Sequence, residues 1–423
     1  MSRLPLSLAL YGLATRLAAP IAPGLLRRRL ARGKEDPARL GERLGVAAAP
    51  RPDGLLVWLH GASVGEALSL LPLIEAIRGA RPDVAILVTS GTVTSATMMA
   101  QRLPVGAIHQ YIPIDTEAAT AAFLDHWRPT LGVFVESELW PNLLLGAQAR
   151  GVRMALLSAR LSFKSFRSWS RLRDAARRIF GVFDLVLAQN DYSASFLKSL
   201  GANVAGFGDL KFGAAPLPCD EAVLTARRAE LAGRPLLLAA STHPGEEEVV
   251  IEAFRAVRNA EPRPLLVIVP RHPVRGSAIA DLVAASGLTV AREQAGEAIG
   301  DADVLVADRL GELGLWFRLA RLAIMGGSLL QGVGGHNPLE PARLGTPFVF
   351  GPHVDNWKSV YDDLMEAEAT SCSGDAEEIA ASMREALDRD IEMARASHEA
   401  TLYVEAGDAA ARAIPARVLA LLP

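Results

Sequence analysis

The sequence has very few cysteines, and this scarcity excludes two kinds of scaffold. Its 423 residues include only Cys219 and Cys372, which lie far apart. They can form neither a disulfide framework nor a four-cysteine zinc site, and they suit a reducing compartment. A basic excess is also missing, because 44 Lys and Arg stand against 47 Asp and Glu, for a formal charge of −3. A general nucleic-acid-binding protein carries a basic excess, so we expect no nucleic-acid partner.

Repeated long hydrophobic runs are absent as well, which excludes a polytopic transporter. What is present is the composition of an ordered globular protein, with 50% hydrophobic and 22% charged residues. Such a composition excludes wholesale disorder. At roughly 150 residues per domain, the length predicts two or three domains, each able to bury its own core.

The first 45 residues differ in charge from the rest of the chain. They hold nine basic and three acidic residues, so they carry +6 and the remainder carries −9. The stretch from Leu4 to Leu26 is mostly apolar, but Arg16 and three prolines interrupt it. A buried arginine costs about 2.5–3.5 kcal/mol on insertion scales, which disfavours a spanning helix. We therefore expect residues 1–45 to associate with the membrane interface, with Arg27–Arg29 on anionic phospholipids and the main body in the cytoplasm. The alternative is a soluble first helix packed on its own domain.

From residue 54 onward, short apolar runs alternate with amphipathic helical patterns. Continuous apolar strands alternating with helices are typical of a parallel sheet covered on both faces. Two such series occur, separated by the aperiodic segment 213–220, which contains two prolines and which we interpret as a linker. The predicted α/β fold therefore has an N-terminal Rossmann-like domain over 46–215, a second over 216–400 and a helical tail over 401–423. Two such domains are expected to face each other across a ligand-binding cleft.

The strongest motif of the first half is His60-Gly-Ala-Ser-Val-Gly-Glu66, directly after the first predicted strand. We expect Gly61 and Gly65 to let the backbone turn sharply near a ligand. Glu66 is a candidate general base, and the alternative, that it only caps its helix, stays open. A second motif holds Glu136 and Glu138, two residues apart, which share a face if the segment is extended. The two carboxylates can transfer a proton, or one of them can stabilise a developing positive charge. Alternatively, their negative charges only stabilise the N-terminus of the following helix.

Lys211 lies just before the predicted linker, where it can reach a substrate anion, although most lysines are only solvated. In the second half, polar or glycine-rich segments again follow predicted strands. Ser241 and Thr242 open a helix and suit an anion, or form a capping box. Arg271 can hold a phosphate in a two-pronged contact. The glycine-rich loop that precedes Glu340 suits a nucleotide. The Glu340 carboxylate can accept hydrogen bonds from the ribose hydroxyls. No His, Cys and Asp cluster has the spacing of a metal site.

Taken together, these motifs resemble those of the Kdo transferases, which move 3-deoxy-D-manno-octulosonic acid from its CMP ester to a lipid A precursor. The resemblance rests on H-x-x-S-V-G-E, E-x-E-L-W-P-N, A-R-L-S, L-K-F, P-R-H-P-x-R, G-E-L-G and G-G-H-N-P-L-E-P, in this order over residues 55–352. It implies the GT-B fold, an inverting glycosyltransferase without a catalytic metal or cofactor, and a place at the cytoplasmic face of the inner membrane of the Gram-negative envelope, in lipopolysaccharide biosynthesis. The implied partners are CMP-Kdo, lipid A precursor and an anionic phospholipid surface.

The resemblance also implies roles for individual residues. Glu66 matches the family's catalytic base, and Glu136 and Lys211 match residues assigned to transition-state stabilisation. The matches to the CMP contacts are Pro270, Arg271, Gly311, Glu312, Leu313, Asn337, Pro338, Leu339 and Glu340. Further candidate anion contacts from the motifs are Ser63, Gly65, Arg160, Ser241, Thr242, Gly327 and Ser328. The sequence departs from the family pattern at Gly61, Ser158 and Arg309-Leu310, and the last departure is expected to loosen the nucleotide loop.

Two other readings stay open at this point. One is another GT-B sugar-nucleotide enzyme, such as a lipid A disaccharide synthase or an epimerase, and the other is a non-catalytic nucleotide-sugar binding protein. The motif pair H-x-x-S-V-G-E and E-L-W-P-N disfavours the first, and the intact Glu66 disfavours the second. The sequence leaves open the number of Kdo units transferred, the acyl pattern of the acceptor, the oligomeric state, and whether the N-terminus spans the membrane or lies in its interface.

Overall fold

The chain folds into two compact units in the computed structural model, which describes residues 4–388 and 390–423. Residues 1–3 of the expected membrane segment and residue 389, which falls in a predicted helix, lie outside the described residues. The first unit contains the described residues up to Ala214 together with Gly407–Pro423. The second unit is Ala215–Ala406. Each unit is built around a seven-stranded parallel sheet, so the predicted α/β class is confirmed.

The sheet of the first unit is formed by short strands, and its central strands are almost completely buried. The strands are β1 (Leu56–His60), β2 (Ala85–Ser90), β3 (Ile108–Tyr111), β4 (Leu131–Val135), β5 (Arg153–Ala159), β6 (Leu185–Ala188) and β7 (Val204–Phe207). Their spatial order is β3-β2-β1-β4-β5-β6-β7. The order reverses between β1 and β4, and ligands of open α/β sheets bind at the carboxyl ends of strands at such a point.

Helices cover the first sheet because their apolar residues recur at helical spacing and pack on both of its faces. They are α1 (Leu6–Ala18), α2 (Ala22–Leu30), α3 (Val64–Ser69), α4 (Leu71–Ala80), α5 (Val93–Arg102), α6 (Glu117–Trp127), α7 (Pro141–Ala149), α8 (Phe163–Ser170), α9 (Arg173–Phe180) and α10 (Asp191–Ser199). Short 3₁₀ segments cover Ala19–Ile21 and Pro37–Leu44.

The second unit repeats this plan. Its strands are β8 (Leu236–Thr242), β9 (Leu265–Pro270), β10 (Val290–Arg292), β11 (Val304–Val306), β12 (Ala320–Met325), β13 (Phe348–Phe350) and β14 (Ser371–Cys372), in the order β10-β11-β9-β8-β12-β13-β14. Its helices are α11 (Glu221–Leu231), α12 (Glu246–Arg255), α13 (Gly276–Ala285), α14 (Leu313–Leu319), α15 (Leu339–Arg343), α16 (Lys358–Glu366), α17 (Ala376–Asp388) and α18 (Asp390–Leu419), with a 3₁₀ turn at Pro273–Arg275. Here the order reverses between β8 and β12.

The first unit is completed by a segment that follows the second unit in sequence. The helix α18 begins among residues of the second unit, and its residues from Gly407 onward belong to the first. Ile414 and Val418 are completely buried there, in the same apolar cluster as Leu187 and Leu210. These contacts make the first core dependent on residues far away in sequence.

The N-terminal helices lie on the first unit with one face exposed. On α1, Tyr11 donates a hydrogen bond to Asp115 at 2.9 Å, and Thr15 accepts one from the Asn142 amide at 2.9 Å. The opposite face of α1 exposes four leucines at helical spacing: Leu6, Leu10, Leu13 and Leu17. By length and composition, the stretch Leu6–Leu30 is one helix that could cross a membrane.

Candidate active site

Glu66 is held by the turn that joins β1 to α3. Ser63 caps α3, with its Oγ accepting a hydrogen bond from the Glu66 amide at 3.3 Å and donating one to Glu66 Oε1 at 2.8 Å. Glu66 Oε2 accepts from the Ala62 amide at 2.8 Å. The turn needs Gly61, because a Cβ there would lie 2.7 Å from the Ala67 amide nitrogen. Gly65 has open space around it and lies within α3, so the sharp turn expected there is not found.

The environment of Glu66 raises its pKa above that of an ordinary glutamate, so the protonated form is more favourable than usual. Burial raises the pKa of Glu66, the hydrogen bonds from Ser63 and Ala62 oppose this, and the negative charges of Glu136 and Glu138 raise the pKa further. A raised pKa makes the ionised carboxylate a stronger proton acceptor. The same hydrogen bonds also cap a helix, so the geometry serves both roles that the sequence left open.

Glu136 follows β4 directly and has a strained backbone. Its φ is 57°, in the left-handed region that residues other than glycine rarely adopt. Glu136 Oε1 lies 3.3 Å from the Lys211 ammonium nitrogen, so the structure brings together two of the three predicted catalytic side chains as an ion pair. Residues 136 and 137 form a turn, and residues 138–140 have no regular secondary structure. The condition under which Glu136 and Glu138 would share a face, an extended backbone, is therefore not met at Glu136.

Glu138 has different partners from Glu136. Its Oε2 accepts a hydrogen bond from the Trp140 indole at 2.8 Å and lies 3.7 Å from Nε2 of the completely buried His60. Burial raises the pKa of Glu138, but the nearby His60 and the hydrogen bond from Trp140 outweigh it, and the net pKa is lowered. Neither glutamate caps the N-terminus of α7. Its Asn142 and Leu143 amides donate hydrogen bonds to Asp115 instead, at 3.1 and 2.9 Å.

The segment that carries Lys211 is fixed by bonds to neighbouring strands. Ser158, near the end of β5 and with φ 49°, accepts a hydrogen bond from the Leu210 amide at 2.9 Å. Asp209 accepts from the Lys211 amide at 3.0 Å and from Gln189 at 2.6 Å. These positioning residues were not identified in the sequence, where nothing indicates that β5, β6 and the segment after β7 are neighbours.

Arg271 follows β9 in a loop that is tied to the neighbouring strand. Its amide donates to the Thr242 carbonyl at 3.0 Å. Four residues later, Arg275 makes two hydrogen bonds to the completely buried Glu247, at 2.5 and 3.1 Å. The Thr242 hydroxyl also donates to Glu247, at 2.7 Å. The side chain of Thr242, a candidate anion contact, is therefore engaged in holding the Arg271 loop.

The glycine-rich loop after β12 is organised around another buried carboxylate. Glu246 accepts hydrogen bonds from the amides of His243, Gly327 and Leu329 at 2.9, 2.7 and 2.9 Å. The Ser328 hydroxyl is completely buried, donating to the Met325 carbonyl at 2.5 Å and accepting from the Gly351 amide at 2.7 Å. Gly327 and Ser328 therefore have structural hydrogen bonds, as Thr242 does, and the backbone of Ser241 has a φ of 59° at the same strand end.

Glu340 begins α15 next to the basic side chains that could bind a nucleotide. Burial raises the pKa of Glu340, while a hydrogen bond from Asn337 and the charges of Arg271 and Arg343 lower it in part. His336 lies close by, with its Nε2 3.0 Å from Nε2 of His243. Burial, then the charges of His243 and Arg271, lower the pKa of His336 to about 4. The structure thus brings Arg271 and Asn337–Glu340 into one neighbourhood, as predicted for a nucleotide site.

The predicted loop Gly311-Glu312-Leu313 lies beside a buried carboxyl that the sequence did not reveal. Glu293, after β10, forms an ion pair with Arg227. Burial and the neighbouring Glu312 raise the pKa of Glu293 to about 7. Arg309, one of the departures from the family pattern, donates to the Glu293 carbonyl at 3.1 Å.

Arg160 is the last of the candidate anion contacts predicted from the sequence. Its amide donates to the Glu136 carbonyl at 3.4 Å, so the backbone that follows β5 lies beside the turn that follows β4. Within residues 4–388 and 390–423, no group of three or more His, Cys, Asp or Glu side chains is placed to hold a metal ion.

Comparisons with known proteins identify relatives over most of the chain. A family model described as 3-deoxy-D-manno-octulosonic-acid transferase (kdotransferase) matches residues 38–214. A 3-deoxy-D-manno-octulosonic acid transferase of Bordetella pertussis is 39% identical over 349 residues, covering 80% of this chain and 81% of that protein. One of Rickettsia bellii (strain RML369-C) is 34% identical over 362 residues, covering 85% and 86%.

Solved structures with low identity share the fold. A UDP-GlcNAc 2-epimerase from Neisseria meningitidis bound to UDP-GlcNAc is 13% identical, with a TM-score of 0.54 and coverage of 87% of this chain and 100% of that chain. A glycosyltransferase from Rickettsia africae ESF-5 is 10% identical, with a TM-score of 0.53 and coverage of 88% and 99%. The two Rossmann-like units are of the GT-B kind, and the chain belongs to the 3-deoxy-D-manno-octulosonic acid (Kdo) transferase family of glycosyltransferases.

Proposed function

We propose that this transferase moves Kdo from CMP-Kdo to a lipid A precursor, lipid IVA, with inversion at the sugar carbon and without a metal ion or cofactor. The observation that carries the proposal is the Glu66 carboxylate, which Ala62 and Ser63 hold at the carboxyl end of β1 and whose pKa burial raises. A carboxylate that is fixed in place and more basic than usual is suited to accept a proton from an acceptor hydroxyl.

The chemical step in this proposal is a direct displacement. Glu66 takes the hydroxyl proton as the acceptor oxygen forms a bond to the anomeric carbon of Kdo. The bond from that carbon to the CMP phosphate oxygen breaks, and CMP leaves with the electron pair. One displacement inverts the configuration, whereas a retaining enzyme needs two.

Glu136 and Lys211 act on the charge that develops during transfer. The sugar becomes positively charged as the leaving group departs, and an ionised carboxylate stabilises such a centre. The Lys211 ammonium forms an ion pair with that carboxylate at 3.3 Å, which holds the two side chains together. It also has protons that can bind an anionic group of the substrate.

The nucleotide end of the donor is assigned to the second unit. Arg271 binds the phosphate, and its loop is supported by the Arg275–Glu247 pair. Glu340 accepts from the ribose hydroxyls, and Pro270, Gly311–Leu313 and Asn337–Leu339 supply the remaining contacts. Since an arginine and backbone amides compensate the phosphate charge, the proposal includes no metal ion.

The acceptor end is assigned to the membrane side of the first unit. A cavity of about 420 Å³, lined mainly by apolar side chains, lies between the N-terminal helices and Trp140. Trp140 is bonded to Glu138, so the cavity adjoins the turn that carries Glu136. We assign this cavity to an acyl chain of the acceptor.

The N-terminal helices are proposed to lie in the interface of the inner membrane at its cytoplasmic face. Three residues of α1, Tyr11, Thr15 and Arg16, are bonded to polar residues of the first unit. If α1 crossed the bilayer in this arrangement, it would bring Asp115 and Glu117 into hydrocarbon, which is costly. If α1 lies in the interface instead, its exposed leucines contact the acyl chains and Arg27–Arg29 lie near the headgroups.

The experiment compares CMP release and product formation with and without lipid IVA. The expected result is CMP release only with the acceptor, and a product whose mass increases by Kdo units. Glu75, an exposed carboxylate on α4, provides the matched control. Glu66→Gln should abolish most of the transfer, and Glu75→Gln should leave it unchanged. CMP release that does not require the acceptor would contradict the proposal.

A further inference from the structure

The segment from Arg160 to Arg178 is strongly basic. It holds seven basic residues and one acidic residue, a formal charge of +6. The first 45 residues also carry +6, so everything outside these two segments carries −15. Both segments belong to the first unit.

These charges are exposed, and most of them lack a carboxylate partner. Lys164, Arg167, Arg171 and Arg173 are exposed, and none of them forms an ion pair in the described part of the chain. The exception is Arg177, which lies 3.8 Å from Asp174. A set of unpaired cations on one surface creates a positive potential that attracts an anionic surface.

Exposed apolar side chains accompany the charges. Phe163 is 63% exposed and Leu172 is 48% exposed. The rest of α8 is fixed to the unit, because Phe166 stacks on Phe196 with ring centroids 4.3 Å apart. An aromatic ring and basic side chains on the exposed side of a fixed amphipathic helix are typical of elements that lie at the surface of a bilayer.

The position of this surface agrees with that of the N-terminal helices. The helix α8 begins just after the carboxyl end of β5, and α1 is bonded to Asp115 and Asn142, which follow β3 and β4. The carboxyl ends of parallel strands lie at one edge of a sheet. Both basic segments therefore meet the first unit at the edge where Glu66 and Glu136 lie.

We propose that the exposed side of α8 and the start of α9 is a second bilayer-binding surface, which contacts anionic phospholipid headgroups. This surface, the α8–α9 face, consists of Phe163, Lys164, Arg167, Arg171, Leu172 and Arg173. With α1 it provides two contacts at the sheet edge that carries Glu66, so this edge faces the bilayer. The role of the α8–α9 face in catalysis rests on the proposed function, transfer of Kdo to an acceptor in the membrane. Binding of the face to phospholipid does not require that transfer.

The test measures binding of the full chain to vesicles of phosphatidylcholine and phosphatidylglycerol that contain no acceptor. The variant Lys164→Glu/Arg167→Glu/Arg171→Glu removes the charge of the face. Its matched control is Arg228→Glu/Arg255→Glu/Arg384→Glu, three exposed arginines of the second unit. Both changes lower the formal charge from −3 to −9, so general repulsion from the vesicle is equal.

We expect the face variant to bind vesicles about tenfold more weakly than the control, with a shallower salt dependence. Phe163→Ser should weaken binding while keeping the salt dependence, since it removes only apolar contact. Unchanged melting temperatures and CMP affinities verify the fold of all variants.

Equal binding of the face variant and its control would overturn the proposal. So would a difference that appears only when the vesicles contain lipid IVA, because the face would then bind the substrate rather than the bilayer. If the wild-type chain transferred no Kdo but the face variant still lost vesicle binding, the proposed function would fail and this inference would stand.

Discussion

Replacing Glu66 by glutamine separates its two candidate roles, general base and helix cap. Glutamine keeps an oxygen for the Ala62 amide, and its NH₂ group can donate to Ser63 Oγ. The lost charge at the helix N-terminus costs about 0.3–1 kcal/mol. Against this, the change removes a half-buried charge that the folded protein disfavours, since burial and the charges of Glu136 and Glu138 raise the pKa of Glu66. We therefore expect the free energy of unfolding to change by less than about 1 kcal/mol, or about 2–4 °C in melting temperature.

The effect on turnover should be far larger if Glu66 is the base. General-base catalysis contributes roughly 10²–10⁴-fold, which corresponds to about 3–5 kcal/mol in the activation barrier. The pH dependence supplies a second measurement. Because only the ionised carboxylate accepts a proton, wild-type kcat/KM should rise with pH through the raised pKa of Glu66. The glutamine variant should lack this rise.

The assay measures Kdo transfer, CMP binding and melting temperature on the same preparation. Asp220→Ala is the control for loss of a helix cap, because Asp220 caps α11 of the second unit and accepts from the Ala222 amide at 2.8 Å. That control should lose about 1 kcal/mol of stability and keep its turnover. Near-wild-type turnover in a folded Glu66→Gln variant would refute the base assignment and leave Glu66 as a cap.

Further predictions concern the other sites. Arg271→Ala should raise the Kd for CMP by about ten- to a hundredfold in a titration, since a charged hydrogen bond is worth roughly 1.5–3 kcal/mol; an unchanged Kd would contradict the phosphate assignment. The folded state raises the pKa of Glu293 to about 7, so its contribution to stability is present at low pH and lost as the pH rises through 7. Glu293→Gln should therefore raise the melting temperature over wild type by an amount that grows from pH 5 to pH 8, and a constant difference would speak against this. Leu13→Ser/Leu17→Ser should weaken vesicle binding without lowering the melting temperature. Ala22→Trp, which narrows the cavity beside Trp140, should slow transfer to an acylated acceptor more than to a deacylated one, and equal slowing would exclude the acyl-chain assignment.

The sequence predicted the strands whose residues are buried on both faces. Leu131–Val135 and Pro264–Pro270 are continuous apolar runs, and the structure has strands at Leu131–Val135 and Leu265–Pro270. Val204–Phe207 was missed because it lies at the sheet edge, alternates between half-buried and exposed residues and contains a glycine. The polar–apolar pattern of Ala376–Arg395 predicts one long helix, whereas the structure has α17 and the start of α18 there. The end of α17 at Asp388 is surrounded by polar residues, and helical periodicity does not reveal a helix end in such a sequence.

At the site, local geometry could be predicted, but contacts between strands could not. The turn before Glu66 follows from its glycine and serine, which determine the backbone within a few residues. The Lys211–Glu136 pair joins residues far apart in sequence, and it depends on the strand order of the sheet. The His60–Glu138 contact likewise requires β1 and β4 to be neighbours. Nothing in the sequence indicates the left-handed backbone at Glu136, since this residue type rarely adopts it.

The packing of Ile414 and Val418 against the first sheet affects the order in which this protein can fold during synthesis. Domains usually fold one after another as they leave the ribosome, beginning with the first. Here the first unit leaves the ribosome without the residues that cover Leu187 and Leu210, and its core stays partly open until the whole second unit has been translated. During this interval α1, whose exposed leucines we propose to lie in the membrane interface, has already been translated. A nascent chain that docks early would complete its catalytic unit at the bilayer surface, where its open apolar core is kept from other unfinished chains.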